Sequence, residues 1–531
     1  MNGNWRRFPH AAALMTVLLV GVALAAPASR ETRLGPIPAG NVLRTTLSPD
    51  GRHVLQLIRN AGGLIVTVDG RADPPFARLE QATLVLGTGG RSGYIAYQGD
   101  VPVVVIDGHL QPSSDLVGPP EFSPDGKHVA FSTQNRDSIF VVRDGAVVAG
   151  FPSAITRGLA ISPDTRRIAL ISTSGARPRV VVDGTSGPEV QGVADNSLVF
   201  GPASRMVVYV VRAGTEWWLV ANGKKGPAVS GIAEGSLVFS RDDAHVAYVA
   251  GRGDRVCVVL DDKPGPLFDD IVEGTVKFSP NGVRLVYVGR TGKSLHVVVD
   301  GRPGPGFDEI VTGSVRFSDD GRRFAYAGRQ GNRLKVVVDG RESAGFDGIA
   351  SGSPRFSSDS KRVAYAVNAD GIWSVKVDEH SGGSYDGYEE NSLVVGPAGG
   401  RVAYVVRKGN GAHAVIDETL GPGFDLVHDP VLSPDGKRVA YVGQSGETTT
   451  LVVDGTPVAS ERTVSESPPV FSADGRRVAL LARSGAEWFA IVDGARGPAY
   501  ESILAGTLVA AGSGFEYLAV RAGSLYRVVV D

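Results

Sequence analysis

Lys277, Arg316 and Arg355 follow one another at 39-residue steps, each placed directly before a Phe, where most corresponding positions along the chain hold Val. Three like charges brought to one place would favour an anionic ligand or a partner's carboxylates. The competing reading pairs each with a nearby Asp or Glu from segments such as "GFDEI". Carboxylates recur as well. An Asp closes "VVVDG"-type motifs at positions 69, 107, 144, 183, 261, 300, 339, 378, 417, 454, 493 and 531, with Asn222 in the one remaining place. Such a series could hold calcium. However, most markers stand beside Gly, where turn chemistry alone selects Asp, and the EF-hand spacing is absent.

Other catalytic chemistry finds little footing. No Gly-x-Ser-x-Gly elbow occurs; "GRSGY", "GQSGE" and "GSGFE" miss its spacing. The nine His are scattered and no His-Glu-x-x-His exists, although His from distant segments could still converge on a metal. His128 and His245 stand where Arg is usual and read as exposed strand residues. Cys257, the single Cys, replaces a Val of sister segments and reads as a small buried apolar side chain. Trp217, Trp218, Trp373 and Trp488 open strands and are expected to cover gaps between packed units. No catalytic residue, metal ligand or cofactor is therefore assigned. The candidate binding residues are Lys277, Arg316 and Arg355.

The elements that would position these residues repeat with a period near 39. Each unit reads as four short strands. "SVRFS" is the first, followed by the turn "DDG", the second strand "RRFAYAG", another turn and the third strand "LKVVVDG", and "GFDEIV" reads as a short fourth strand. No helical period competes beyond the N-terminal segment. Thirteen four-stranded antiparallel units indicate an all-β fold of β-propeller blades. The chain ends on the third strand of its last unit, while "RLGPIPAG" near the start aligns with a fourth strand. The two ends can thus complete one blade together.

Thirteen blades exceed the usual ring of up to about eight. Tandem propellers are expected, six blades over residues 34–262 and seven over 263–531. The division near Asp262 follows a change of texture, since "PLFDDI", "PGFDEI" and "AGFDGI" appear only from there on. Seven then six, broken near Gly301, fits nearly as well, and one unusually large ring is a third possibility. Residues 1–25 carry Arg6, Arg7, an apolar run and Ala23-Leu24-Ala25, the pattern of a secretory signal. A net charge of −2 gives no field for nucleic acid, and a lone Cys leaves an exported chain without internal disulfides.

"FSPDGKHVAF", "LSPDGKRVAY" and "FSADGRRVAL" resemble the WD-like repeat of the TolB propeller family. The resemblance spans the mature chain and implies a propeller of the periplasm or cell exterior. That family carries a small α/β domain before its propeller, which is missing here, so TolB's own partners are not implied. The expected function is a non-enzymatic scaffold, monomeric, binding a protein or an anionic glycan. The alternative is a lyase or hydrolase acting on an anionic polysaccharide in the central channel.

Overall fold

The structure, a computed structural model, describes residues 27–531 except 113, 154–155, 379, 398–399, 429 and 466. The expected signal segment lies outside the described residues.

The chain forms thirteen separate antiparallel sheets, each a blade. In the eighth, Phe324–Gln330 and Arg333–Val338 form a long central hairpin, with the two-residue strand Arg341–Glu342 on its outer edge. The inner edge is supplied in two pieces, Glu309–Ile310 and Arg316–Phe317. Ala325, Tyr326, Ala327, Val336 and Val337 are all buried, although they alternate between the two faces of the sheet. Each blade is covered by a neighbour on both sides, which is why its middle strands read as near-continuous apolar runs.

The segment "GFDEIV" is not one fourth strand, as the sequence reading had it. Its halves serve different blades. In "GFDGI", Phe346 bridges back to Leu334 of the eighth blade, while Gly348–Ile349 pairs with Asn368 and Val367 of the ninth. The crossing from one blade to the next falls inside the motif.

The Asp-Gly turns have a physical reason. Asp339 and Gly340 both adopt positive φ, 50° and 86°, as a tight hairpin turn demands. Asp339 Oδ1 also accepts the Phe324 backbone N–H at 2.9 Å. Asn222 makes the same bond to Val207 N–H, so Asn serves there as well. The glycine of the following Gly-Pro stretch answers a close approach. At Gly304 a Cβ would stand 2.9 Å from the Tyr326 hydroxyl and 3.1 Å from the Val297 carbonyl oxygen.

The ring closes between the last blade and the first. Ser29–Pro36 pairs antiparallel with Ser524–Val530 and is the outer strand of the thirteenth blade, so both ends of the chain build one sheet. Glu31 holds this join through an ion pair to Arg521, and it accepts the Tyr500 hydroxyl at 2.7 Å. Val54 of the first blade packs with Leu518 and Leu525 of the thirteenth. At the expected division near Asp262, Ala247 and Val258 of the sixth blade pack with Phe268, Leu285 and Tyr287 in a cluster like those of other seams.

Candidate functional site

Lys277–Phe278, Arg316–Phe317 and Arg355–Phe356 are the second inner-edge pieces of blades seven, eight and nine. Each pairs antiparallel with the second strand of its blade, in the same register. Inner pieces of successive blades touch at several seams, as Lys277–Phe278 does Val238–Phe239, and one position in three adjacent blades would form an arc on the channel side. Lys277 and Arg316 are exposed and Arg355 is half-buried. Burial, and then the neighbouring Arg355 guanidinium, hold Arg316 below the usual arginine range.

Among the described residues, none of the three has a carboxylate within ion-pair reach of 4.0 Å. The acids expected to pair them are engaged elsewhere. Glu309 pairs with Arg329 at 3.1 Å, and Asp347 pairs with Arg333. Asp308 accepts the Gly331 backbone N–H at 2.7 Å. Arg355 donates from Nε to the Gly352 carbonyl at 3.2 Å. Elsewhere the same position is Val199, Val238, Val394, Val431 or Val470, but in the third blade it is Glu121, whose carboxyl burial pushes up. The sequence reading passed over Glu121, which stands before Phe122 in the slot that Arg316 fills before Phe317.

The turn carboxylates are not a free acidic ring. Asp339 Oδ2 accepts Arg323 Nε at 2.9 Å, and Arg323 Nη1 donates at 2.7 Å to the Lys361 carbonyl of the next blade. The same guanidinium lies 5.2 Å from the Phe356 ring centroid. Arg91, Arg284 and Arg362 reach the carbonyls of Lys127, Arg322 and Gly400 in the same way. Arg is suited to this clasp because its planar fork holds several partners at once. His53, His128 and His245 take the place of Arg in blades one, three and six and hold Asp69, Asp144 and Asp261 at 2.6, 2.7 and 2.9 Å. These pairs make the imidazoles part of the scaffold.

The Trp residues pack in interblade clusters: Trp217 between blades five and six, Trp373 between nine and ten, and Trp488 between twelve and thirteen. Cys257 is fully buried, and burial pushes its thiol up, away from a nucleophilic thiolate. Among the described residues, no three His, Cys, Asp or Glu side chains gather as a metal site would require. No helix there is long and apolar enough to cross a membrane.

No family model and no curated protein matches the sequence. Similar solved structures include TolB from Acinetobacter baumannii, at 17% identity and TM-score 0.22, covering 47% of this chain and 77% of that one. The Dos1 propeller is 12% identical with TM-score 0.26, covering 66% and 94%. The β-propeller domain of Cps50 from Myceliophteria thermophila is 12% identical with TM-score 0.24, covering 57% and 96%. At these values the likeness carries no argument about activity.

Proposed function

We propose that this chain is a TolB-like, WD-like repeat scaffold of the cell envelope, exported by its N-terminal segment, that binds an acidic segment of a protein partner without catalysing a reaction. One observation carries the reading. Three cations occupy the same inner-edge position of three adjacent blades with no carboxylate of the described residues in reach, so their charge is available to a ligand. Cations held on rigid sheet edges lose little freedom when an anion docks. A fold without a nucleophile elbow or a cluster of metal ligands among the described residues fits binding better than turnover.

The test is crosslinking in intact cells, comparing the wild type with Lys277→Gln/Arg316→Gln/Arg355→Gln. Binding to the captured partner should fall at least ~10-fold in the variant, about 1.4 kcal/mol, and the wild-type affinity should weaken as salt rises. Equal capture by both proteins would refute the arc as the site. Capture of an acidic polysaccharide instead of a protein would refute the partner class.

A further inference from the structure

A large cleft lies at the seam of blades five and six, outside the cation arc. Its volume is about 640 Å³, within the range of small-molecule sites. The corresponding cleft between blades seven and eight is built from the same repeat positions, 78 residues further on, and holds about 290 Å³. The repeat makes the comparison direct. Val199 becomes Lys277, Trp217 becomes Leu295 and Glu234 becomes Thr312, while Asp195 becomes Glu273. The smaller cleft is lined by one cation and one carboxylate. The larger is lined by two carboxylates, Asp195 and Glu234, and no cation.

Its walls are apolar and only half covered. Trp217, Val199, Ile232 and Phe239 each line it, and each is partly exposed where core packing would have closed it. Asp195 and Glu234 are exposed, and among the described residues neither has a cation within 4.0 Å. Arg212 lies 5.2 Å from the Trp217 ring centroid and donates to the Gly214 carbonyl; it does not line the cleft.

We infer that this cleft binds a small amphiphilic cation, an aromatic or branched apolar body carrying a primary amine or guanidinium. The body fills the space beside Trp217 and releases water from apolar surface. The cationic end meets the two carboxylates at the rim, where opposite charge adds to the aromatic attraction. A carboxylate or a phosphate in the same place would meet like charge, so the site discriminates by charge sign.

The test uses the full chain and three probes of one shape, tryptamine, 3-ethylindole and indole-3-propionate, followed by titration calorimetry. Tryptamine should bind best, at least ~10-fold more tightly than the neutral probe, with indole-3-propionate the weakest. Val199→Lys/Glu234→Thr installs the residues that the chain itself uses between blades seven and eight, so the seam should still form. This variant should bind tryptamine at least ~10-fold more weakly. Should it fail to fold by circular dichroism, the near-isosteric Asp195→Asn/Glu234→Gln takes its place with the same expected loss. Substituting Lys277, Arg316 and Arg355 should leave tryptamine binding unchanged, which separates this site from the arc. Equal affinity for the three probes, binding insensitive to the cleft variants, or no binding of tryptamine at millimolar concentration would each overturn the inference.

Discussion

The seam between blades eight and nine and the seam between blades three and four come from the same repeat and are held very differently. At the first, Arg323 grips its own Asp339, reaches the Lys361 carbonyl and lies against Phe356. Beneath it Val336 packs with Phe346, Tyr365 and Val367. At the second, His128 holds Asp144 but, among the described residues, no side chain of blade three reaches a carbonyl of blade four. No apolar cluster of described residues joins those two blades, whereas one joins every other neighbouring pair, including the last and the first. Blade three also carries a long outer strand, Ala146–Pro152, with Val147 62% exposed. A guanidinium can hold two partners on different blades, while an imidazole offers two opposed nitrogens, one of them spent on the Asp. The residue type at the clasp therefore decides whether that side chain also reaches a carbonyl of the next blade.

Breaking the join at the ends of the chain should outweigh any change at a single seam. Deleting residues 29–36 removes the outer strand of the thirteenth blade, the Glu31–Arg521 pair and the Tyr500–Glu31 bond. The apolar strand Ser524–Val530 is then left as an open edge. The expected outcome is a loss of cooperative thermal unfolding and aggregation in light scattering.

Exchanging the clasps sharpens the comparison. Arg323→His should keep the Asp339 contact and lose the reach to Lys361, at a cost of about 1–2 kcal/mol, since the pair is partly exposed. His128→Arg should gain up to about 1 kcal/mol by reaching the fourth blade. Hydrogen exchange at the two seams reads both changes, and the protection of the two should move toward each other.

Lowering the pH should erode both seams together. Hydrogen bonds from the Ser318 hydroxyl and the Arg322 backbone N–H hold the Asp320 carboxyl below its usual range, and Asp125, Asp435 and Asp474 are held down in the same way. For Asp144, burial raises the carboxyl but is outweighed by hydrogen bonds from His128 and the Val129 N–H. A carboxyl depressed in the folded state stabilises the fold fully above its unfolded value, about 3.9, and that contribution is lost as pH falls through the folded value. The urea midpoint should therefore hold steady down to about pH 5 and fall below about pH 4.

Much of this was legible in the sequence because a repeat prints each structural need thirteen times. Asp-Gly at most markers announced a hairpin turn, and the phase of the two ends announced the blade that they share. The clasp was also readable. Sixteen residues before each Asp marker up to Asp493 stands an Arg or His, whereas before Asn222 stands Met206. Where the turn residue lacks a second anionic oxygen, its partner lacks a charge. That covariation went unread because the Asp was explained by its turn alone. The split of "GFDEI" between two blades was not legible, since pairing partners depend on how blades stack and not on local pattern. The cations at 277, 316 and 355 could be placed on one edge from their spacing. That their expected partners bind other groups depends on which side of the sheet each loop lies. The size of the cleft at Trp217 is likewise a matter of packing between blades.

A single closed ring is tested most directly at the join of the first and last blades, where Arg527 Nη2 donates to the Arg52 carbonyl at 2.8 Å. In the full chain, Arg52→Cys and Arg527→Cys together present two thiols across that join, while the native Cys257 is buried. A short bismaleimide should link them within one folded molecule, giving a monomer of altered gel mobility. Two separate rings of six and seven blades would set these positions apart. Thiols that each accept a monofunctional maleimide but never become linked would contradict the closed ring of thirteen.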